Sequence, residues 1–308
     1  MNSSGHGKQQ GLSGHLPVFG PWLARFGKKR VSRSRGGTAA IFFFLISFAF
    51  FMVLPMIYTI VTAFKPVSEL FLFPPRFMVI HPTLDNFTTM IQLTQSLWVP
   101  FSRYLFNSLF ISLFGTAAYV VIASFAAFPL AKFNFPGQIF YFNIVIWAIL
   151  FRPEVTGIPQ YIIISALGMI NTYLAVLLPV MSGSFGVFLM RQYMVAAIPD
   201  DMLEAARIDG ASDYRQFWQI VMPLVKPAWL TLVIFTFQSF WNATGVTYIY
   251  DEPMKVLPAV LNQITSAGIA RAGAGAAVAL FLMIPPIIIF LFSQSSIIET
   301  MAHSGMKN

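Results

Sequence analysis

Cysteine is absent from this sequence, and charged residues make up only 10% of its 308 residues. The lack of cysteine excludes disulfide bonds, thiol catalysis and thiolate metal sites. Soluble domains carry about a quarter charged residues, so this chain does not have enough polar side chains to cover a surface in water. Hydrophobic residues reach 57%, phenylalanine alone contributes 33 residues, and the mean hydropathy is +0.71. We therefore expect an integral membrane protein.

The histidines and the basic residues indicate neither a metal centre nor a nucleic-acid partner. No two histidines have the spacing of metal ligands, and all four lie outside the apolar segments, so we expect no metal. The net charge is +8, and residues 1–36 hold seven of the 19 basic residues. Since basic flanks of membrane spans stay on the cytoplasmic side, lipid explains this charge and no nucleic-acid partner is expected.

Long apolar runs predict an all-α fold with six transmembrane helices. A helix needs about 20 apolar residues to cross a membrane. The candidate spans cover approximately residues 38–64, 104–130, 137–157, 172–190, 227–249 and 276–294. The chain then divides into a basic tail at 1–36, a transmembrane domain at 37–300 and a C-terminal tail at 301–308. We expect the basic tail to be flexible or in loose contact with anionic lipid headgroups.

Six spans place both termini on the same side of the membrane. With the termini in the cytoplasm, 13 basic residues fall on the inner side and six on the outer side. This bias agrees with the positive-inside rule. Without the tail the count is equal on both sides, so the predicted orientation depends on residues 1–36.

Two further absences bear on the function class. No span centre carries an Asp, Glu, Lys or Arg, whereas transporters driven by protons or ions usually keep ionisable residues there. The sequence also lacks a phosphate-binding loop of the form G-x-x-x-x-G-K-[ST], so this chain cannot hydrolyse ATP alone. A membrane enzyme would need a reactive cluster near the interface, and only Arg152 and Glu154 are charged near a span end. These patterns favour a transport subunit without catalytic residues or cofactor of its own over a secondary transporter or an enzyme.

The stretch that is most informative for function is the loop 191–226, which holds five of the 11 acidic residues. Pro199 and the acidic pair after it are typical of a helix start. Gly210 suits the left-handed position that ends a helix, and Ser212 suits the N-cap of a second one. That second helix has an apolar face at Tyr214, Phe217, Trp218 and Val221.

Spacing alone leaves two interpretations of this loop open. It is either a rigid corner whose small residues allow close approach by a partner, or an amphipathic segment lying on the membrane surface. The segment also resembles the EAA loop of ABC importer permeases, at Glu204, Ala205, Ala206, Asp209, Gly210, Ser212 and Pro223. In that family the loop docks into a cleft of the ATP-binding subunit and transmits its closure. The resemblance implies that Glu204 and Asp209 brace the corner and that Gly210 permits it.

The rest of the chain resembles the carbohydrate importers related to the maltose transporter, in particular their smaller permease subunit. Over about residues 40–300 the matching elements include Asn107-Ser108, the run Leu-Gly-Met-Ile-Asn-Thr-Tyr at 167–173 and Phe240-Trp241-Asn242. The resemblance implies the type I ABC importer permease fold in a prokaryotic cell membrane. It also implies three partners: a second permease, a dimer of ATP-binding subunits that holds ATP and Mg²⁺, and an extracytoplasmic solute-binding protein. Ser295-Ser296 depart from the family pattern, which bears on the substrate subclass, and a non-sugar solute is the alternative.

The fifth span carries a candidate path for the solute. One helical face carries Thr231, Phe235, Gln238 and Asn242 at i, i+4, i+7 and i+11, with Trp241 beside them, and Asn107 on the second span is a weaker candidate. Amides and aromatic faces are the groups that bind uncharged polyols. The alternative is that these polar residues form hydrogen bonds between helices, as is common in membrane bundles.

Overall fold

The computed structural model describes the backbone of residues 35–151 and 153–304, and the side chains of 36–151 and 155–294. The predicted basic tail lies almost entirely outside these ranges, as do the side chains of Arg152 and Glu154, Ser295-Ser296, and the last four residues. Throughout the described backbone the chain is helical and has no β-strand, which confirms the all-α prediction. By its internal contacts the chain divides into two units, one ending at Leu54 and the other beginning at Pro55. The contacts described below all lie within the second unit.

The described chain forms a succession of α-helices, and the longest connections between them are residues 71–84 and 243–256. Their bounds are Arg35–Ala63 (α1), Val67–Leu70 (α2), Asp85–Gln95 (α3), Phe101–Lys132 (α4), Gln138–Leu150 (α5), Pro153–Ala166 (α6), Tyr173–Met181 (α7), Ser184–Ala197 (α8), Asp200–Ile208 (α9), Asp213–Gln216 (α10), Met222–Leu224 (α11), Lys226–Asn242 (α12), Leu257–Thr265 (α13) and Ala272–Ser304 (α14). A π-helical turn joins α10 to α11 at Phe217–Val221. Short 3₁₀ turns occupy Glu252–Met254 and Ile269–Arg271.

The helix lengths agree with six membrane spans. Within the described residues, three helices are long and apolar enough to cross a membrane alone, namely α1, α4 and the helix that includes α14. Three bent helix pairs bring the number to six when each pair counts as one span. The pairs are α5 with α6, α7 with α8, and the segment Asp213–Leu224 with α12.

The predicted boundaries of the third and fifth spans were wrong. The first helix of the third span ends at Leu150, and α6 then runs to Ala166, well beyond the predicted end at 157. The fifth span ends at Asn242 and not at 249, because Ala243 is extended and Gly245 has φ +65°. Apolar composition continues past both helix ends, so hydropathy alone does not locate them.

The fourth predicted span is broken where a neighbouring helix clamps it. α7 and α8 meet at a bend of 42°. The Tyr119 hydroxyl of α4 donates a 2.5 Å hydrogen bond to the Gly183 carbonyl and accepts one of 2.9 Å from the Gly186 N–H. A Cβ atom at Gly186 would lie 2.7 Å from that hydroxyl, so only glycine permits this approach. α8 also continues to Ala197, which makes the first residues of the predicted 191–226 loop helical.

The segment between α1 and α3 is held by buried polar groups. The Glu69 carboxylate accepts the backbone N–H groups of Ile80 at 3.1 Å and His81 at 2.9 Å. The Asn86 amide donates to the carbonyls of Ala63 at 2.9 Å and Lys65 at 2.7 Å. These bonds close the segment into an ordered unit, since buried polar groups need partners.

Protection of this segment from hydrogen exchange should depend on pH. Burial raises the pKa of the Glu69 carboxyl, but the N–H groups of His81 and Ile80, together with the charges of His81 and Lys65, outweigh burial, and the pKa lies below its ordinary value. A carboxyl group with a lowered pKa stabilises the fold above its ordinary pKa, and this contribution is lost as the pH falls through the lowered one. We expect protection factors at Ile80 and His81 to be constant near neutral pH and to fall below about pH 4.

Hydrogen-exchange mass spectrometry of the protein in nanodiscs measures this effect. The Glu69→Gln variant should show weaker protection at neutral pH and no acid transition in this segment. An acid transition of the same size in that variant would assign the pH dependence to another group.

Candidate functional site: the coupling corner and the solute face

The corner predicted around Gly210 is present, with the predicted local chemistry. Gly210 has φ +80°, and the Ala211 N–H beyond it donates to the Ala206 carbonyl at 2.9 Å, which closes the end of α9. The Ser212 hydroxyl accepts the Arg215 N–H at 3.4 Å and caps α10. Glycine is required here because side chains disfavour positive φ. The glycine end and the serine cap are therefore confirmed as local structure.

Lys132 ties the start of this corner to the end of α4. Its ammonium group donates to the Ile198 carbonyl at 2.5 Å and to the Asp200 carboxylate at 2.7 Å. The Lys132 side chain is only 4% exposed, whereas Asp200 is 78% exposed. Beside this pair lies a cleft of about 450 Å³, which is open to solvent and is lined by Glu204, Arg207 and other residues. The lysine thus caps the C-terminal end of α8 and orients α9 with the same charge.

The second half of the corner is clamped to α4 by aromatic rings. The centroid of the Phe125 ring lies 4.3 Å from the ring centroid of Phe217, 5.8 Å from that of Tyr214 and 5.7 Å from that of Trp218. Phe217 is 1% exposed, and it belongs to the same core cluster as Leu203 of α9. Both helices of the corner are therefore packed into one core with α4.

A π-turn leads from this clamp into the fifth span. The Met222 N–H donates to the Phe217 carbonyl, five residues back, in place of the ordinary four-residue bond. Pro223 follows and has no N–H to donate. Trp229 then donates its indole N–H to the Met222 carbonyl at 3.1 Å. We define the coupling corner as residues 200–222, and Pro223 lies directly at its end.

The outer surface of the coupling corner is available to a partner. Ile208 is 87% exposed, which is unusual for an apolar side chain at the tip of a charged loop. Glu204 and Asp209 are exposed, and their carboxylates form no ion pair or side-chain hydrogen bond with described residues. The bracing expected of them comes instead from Lys132 and Phe125. Ala205 is exposed and Ala206 half-buried, so small residues do lie at the surface, as predicted.

Three of the residues predicted to line a solute path on the fifth span are exposed on one helix. Phe235, Gln238 and Asn242 are exposed on α12, and neither amide forms a side-chain hydrogen bond with described residues. Trp241 points elsewhere: it is 1% exposed, and its indole N–H donates to the Leu282 carbonyl of α14 at 2.8 Å. We define the solute face as Phe235, Gln238 and Asn242. Trp241 joins two helices and is left out of it.

Asn107 is also engaged within the chain. Its amide nitrogen donates to the carbonyls of Pro253 and Lys255, each at 2.9 Å, and its oxygen accepts the Tyr173 hydroxyl at 2.8 Å. The residue is fully buried. All the hydrogen-bonding groups of the side chain except one lone pair are used, so this geometry supports the alternative of a bond between helices.

Asn171 holds the loop that follows α12, a role that the sequence did not indicate. It adopts φ +59°, and its side-chain oxygen accepts the N–H groups of Tyr250 at 2.6 Å and Asp251 at 3.2 Å. Its own N–H donates to the Tyr248 carbonyl at 2.9 Å. The only sequence signal was its place in the 167–173 run, and positive φ is most common for asparagine among non-glycine residues.

Replacing Asn171 should release this loop. In Asn171→Ala, two N–H groups lose their acceptor and alanine must adopt positive φ, so we expect a loss of about 1–2 kcal/mol of local stability. Amide protection at 248–251 should then fall about 5- to 30-fold. Asn171→Asp retains both the acceptor and the tolerance of positive φ, and should remain close to wild type. Equal protection in the alanine variant would contradict the assigned role.

The comparisons with known proteins bear on the whole of this region. Residues 120–301 match the family of binding-protein-dependent transport system inner membrane components. The chain belongs to this family. The matched range includes the coupling corner, its aromatic clamp and the solute face. The protein is therefore a membrane component of a transport system, and its predicted location in a membrane is confirmed.

Individual family members and a solved structure agree with this assignment. Protein LplC of Bacillus subtilis is 32% identical over 69% of this chain and 70% of its own length. The arabinooligosaccharides transport system permease protein AraQ of Halalkalibacterium halodurans is 28% identical over 84% of this chain and 92% of its own. A bacterial ABC transporter involved in the import of the acidic polysaccharide alginate has the same fold, with a TM-score of 0.72, 21% identity, and 87% and 99% coverage of the two chains. This likeness confirms the predicted ABC importer permease fold.

Proposed function

We propose that this inner membrane component is a permease subunit of a heteromeric importer for a neutral sugar or oligosaccharide. The observation that carries the proposal is the coupling corner, which presents an exposed apolar tip and is joined to α4 by Lys132 and Phe125. An element that is both exposed to a partner and fixed to a span is suited to pass on a movement. The described chain has no residue cluster for chemistry of its own, and its sequence has no phosphate-binding loop.

The proposed energy source is a separate dimer of ATP-binding subunits that holds ATP and Mg²⁺. Ile208 and the carboxylates of Glu204 and Asp209 form the docking surface, on the cytoplasmic side together with both termini. Closure of the ATPase dimer displaces the coupling corner, and the clamp at Phe125 transfers this displacement to α4 and α12. The spans then alternate between inward and outward access.

The solute face supports a neutral polyol as cargo. Phe235 offers an apolar ring, while Gln238 and Asn242 each offer a donor and an acceptor, and none of the three is charged. Such groups match a sugar, with its hydroxyls and its apolar C–H faces. The relative AraQ bears the name of an arabinooligosaccharide permease. A second permease completes the path, and an extracytoplasmic binding protein delivers the solute. The family's description as a binding-protein-dependent transport system supports the binding-protein partner.

A non-sugar solute is the second candidate, and a secondary transporter is the third. The uncharged solute face disfavours charged amino acids and polyamines, because their charges would enter the membrane without a partner. The lack of buried Asp, Glu, Lys or Arg side chains in the described span centres disfavours coupling to protons or ions.

Affinity purification of the tagged chain from its native membrane in mild detergent tests this proposal. Mass spectrometry should identify a stoichiometric ATPase and a second permease, and the reconstituted complex should import sugar when ATP and the binding protein are supplied. Recovery of the chain alone or as a homo-oligomer would refute the importer assignment. ATP-driven import of a non-sugar solute alone would refute only the sugar assignment.

A further inference from the structure

Three tyrosines line a cleft at the end of the bundle opposite the coupling corner. The cleft measures about 600 Å³ and lies between α6 and the segment that follows α12. The rings of Tyr161 and Tyr248 are nearly parallel, with 6.2 Å between their centroids and 19° between their planes. The hydroxyl oxygens of Tyr161 and Tyr250 are 3.4 Å apart. The Tyr248 hydroxyl lies 3.4 Å from the side-chain oxygen of Gln160.

The contacts at the two ends of α4 show on which side of the membrane this cleft lies. Lys132 at one end of this helix contacts the coupling corner, and Asn107 near the other end bonds to Pro253 and Lys255 of the segment that carries the tyrosines. The two residues are separated by 25 positions, or about 38 Å of helix at 1.5 Å per residue. With the coupling corner in the cytoplasm, the cleft therefore opens on the extracytoplasmic side.

A second cleft adjoins the first and shares Tyr250 with it. This cleft measures about 390 Å³, and its polar lining consists of Lys255, Asn262, Gln263 and Ser266. The only charge in its lining is compensated, because the Lys255 ammonium is 2.5 Å from the Glu252 carboxylate. None of the described residues that line the tyrosine cleft is charged. The hydrogen bond with Tyr161 raises the pKa of Tyr250, and burial raises that of Tyr248, so both phenols are neutral at physiological pH.

We propose that these two clefts form an extracytoplasmic binding site for consecutive units of a neutral oligosaccharide. Phenol rings in a flat, partly exposed arrangement contact the C–H faces of a sugar ring. The amides of Gln160, Asn262 and Gln263 supply donors and acceptors for its hydroxyls. Since Tyr250 borders both clefts, one sugar unit occupies each side of it. The carboxylates of an acidic oligosaccharide find no uncompensated cation among the described residues of either lining.

This inference rests on the proposed function, and it adds a site that is separate from the solute face on α12. The tyrosine cleft lies on the loop held by Asn171, so it is fixed before a sugar arrives. A preformed site costs less ordering on binding. Its role is to hold the sugar after release from the binding protein and before entry between the spans.

Saturation-transfer NMR on the assembled complex in nanodiscs tests the site. The probes are maltotriose and arabinotriose as neutral sugars and an alginate trisaccharide as the acidic one. We expect transfer to the C–H protons of a neutral trisaccharide and none to the alginate trisaccharide. In Tyr161→Ala/Tyr248→Ala, and separately in Tyr250→Ala, the affinity for the neutral sugar should fall about tenfold, as expected for loss of stacked aromatic contacts. Tyr161→Phe/Tyr248→Phe keeps the rings and should lose much less.

Tyr193→Ala is the matched control, because it removes an exposed tyrosine from α8 and should leave the signal unchanged. Absence of transfer to both neutral sugars, or an affinity that is unchanged in both alanine variants, would overturn the inference. A stronger signal for the alginate trisaccharide would overturn the neutral class. ATP-driven sugar uptake is then measured after the same preparation is reconstituted into liposomes. This measurement distinguishes failure of the proposed site from failure of the proposed function. Uptake without a tyrosine-dependent signal refutes only this site, and absence of any sugar uptake refutes the proposed function.

Discussion

Sugar uptake by the Gly210→Val variant is expected to fall to a small fraction of the wild-type rate, although the complex still assembles. Gly210 has φ +80°, and a Cβ atom at this position would meet no heavy atom within 4 Å. The substitution therefore introduces backbone strain without a steric clash. This strain amounts to about 1–2 kcal/mol for a non-glycine residue, and it is larger for a β-branched one. It shifts the population of the native corner about 5- to 30-fold.

The measurement combines uptake and ATP hydrolysis in proteoliposomes. We expect hydrolysis in Gly210→Val to lose its dependence on the binding protein, because the docking tip at Ile208 no longer meets the ATPase in one geometry. Gly210→Asn is the matched control, since asparagine tolerates positive φ, and it should retain most of the uptake. Wild-type uptake by Gly210→Val would show that the corner does not transmit the movement.

The coupling corner shows how far sequence reasoning reaches. Gly210 and Ser212 were predicted correctly because glycine at a helix end and serine at a cap act on neighbours within five residues. The partner of the second helix was not predicted, because Phe125 lies about ninety positions before Phe217 in the chain. Nothing in the 3.6-residue period of an apolar face tells which other helix covers it.

The spans illustrate the same limit. Hydropathy predicted where apolar helices occur, and the number of spans agrees. It missed the break at Gly183, which depends on the Tyr119 hydroxyl from another helix. Residue type and helical face made Trp241 and Asn107 candidates for the solute path, with hydrogen bonds between helices as the alternative, and in the structure their polar atoms bond to Leu282 and to Pro253 and Lys255. Those partners lie 41 to 148 positions away in the chain. A polar residue in a span faces either a path or a neighbouring helix, and only tertiary structure decides between them.

The largest effect is expected for Phe125→Ala, which should separate ATP hydrolysis from transport. The Phe125 ring contacts three other rings, and each such pair contributes about 0.5–1.5 kcal/mol beyond area burial. Its removal takes away the ring contacts of α4 with Tyr214 and Trp218 and the closest one with Phe217, and it leaves only the Phe128–Phe217 ring contact among those the structure describes. The exposed docking surface of the coupling corner stays intact. We expect the ATPase to remain bound at full stoichiometry and to hydrolyse ATP, while uptake falls by more than in Gly210→Val. The ratio of ATP hydrolysed to sugar imported should therefore rise.

Two controls distinguish loss of the clamp from general damage to α4. Phe125→Tyr keeps the ring and should preserve most of the coupling. Phe114→Ala removes an exposed phenylalanine from the same helix, 53% exposed and stacked only on Phe110, and should leave the ratio unchanged. If Phe125→Ala imported sugar at the wild-type ratio, the movement would have to pass through other contacts of α4 with the coupling corner, such as Phe128 with Phe217 and Lys132 with Asp200. In that case the triple variant Phe125→Ala/Phe128→Ala/Lys132→Ala would lose uptake where the Phe125→Ala variant does not.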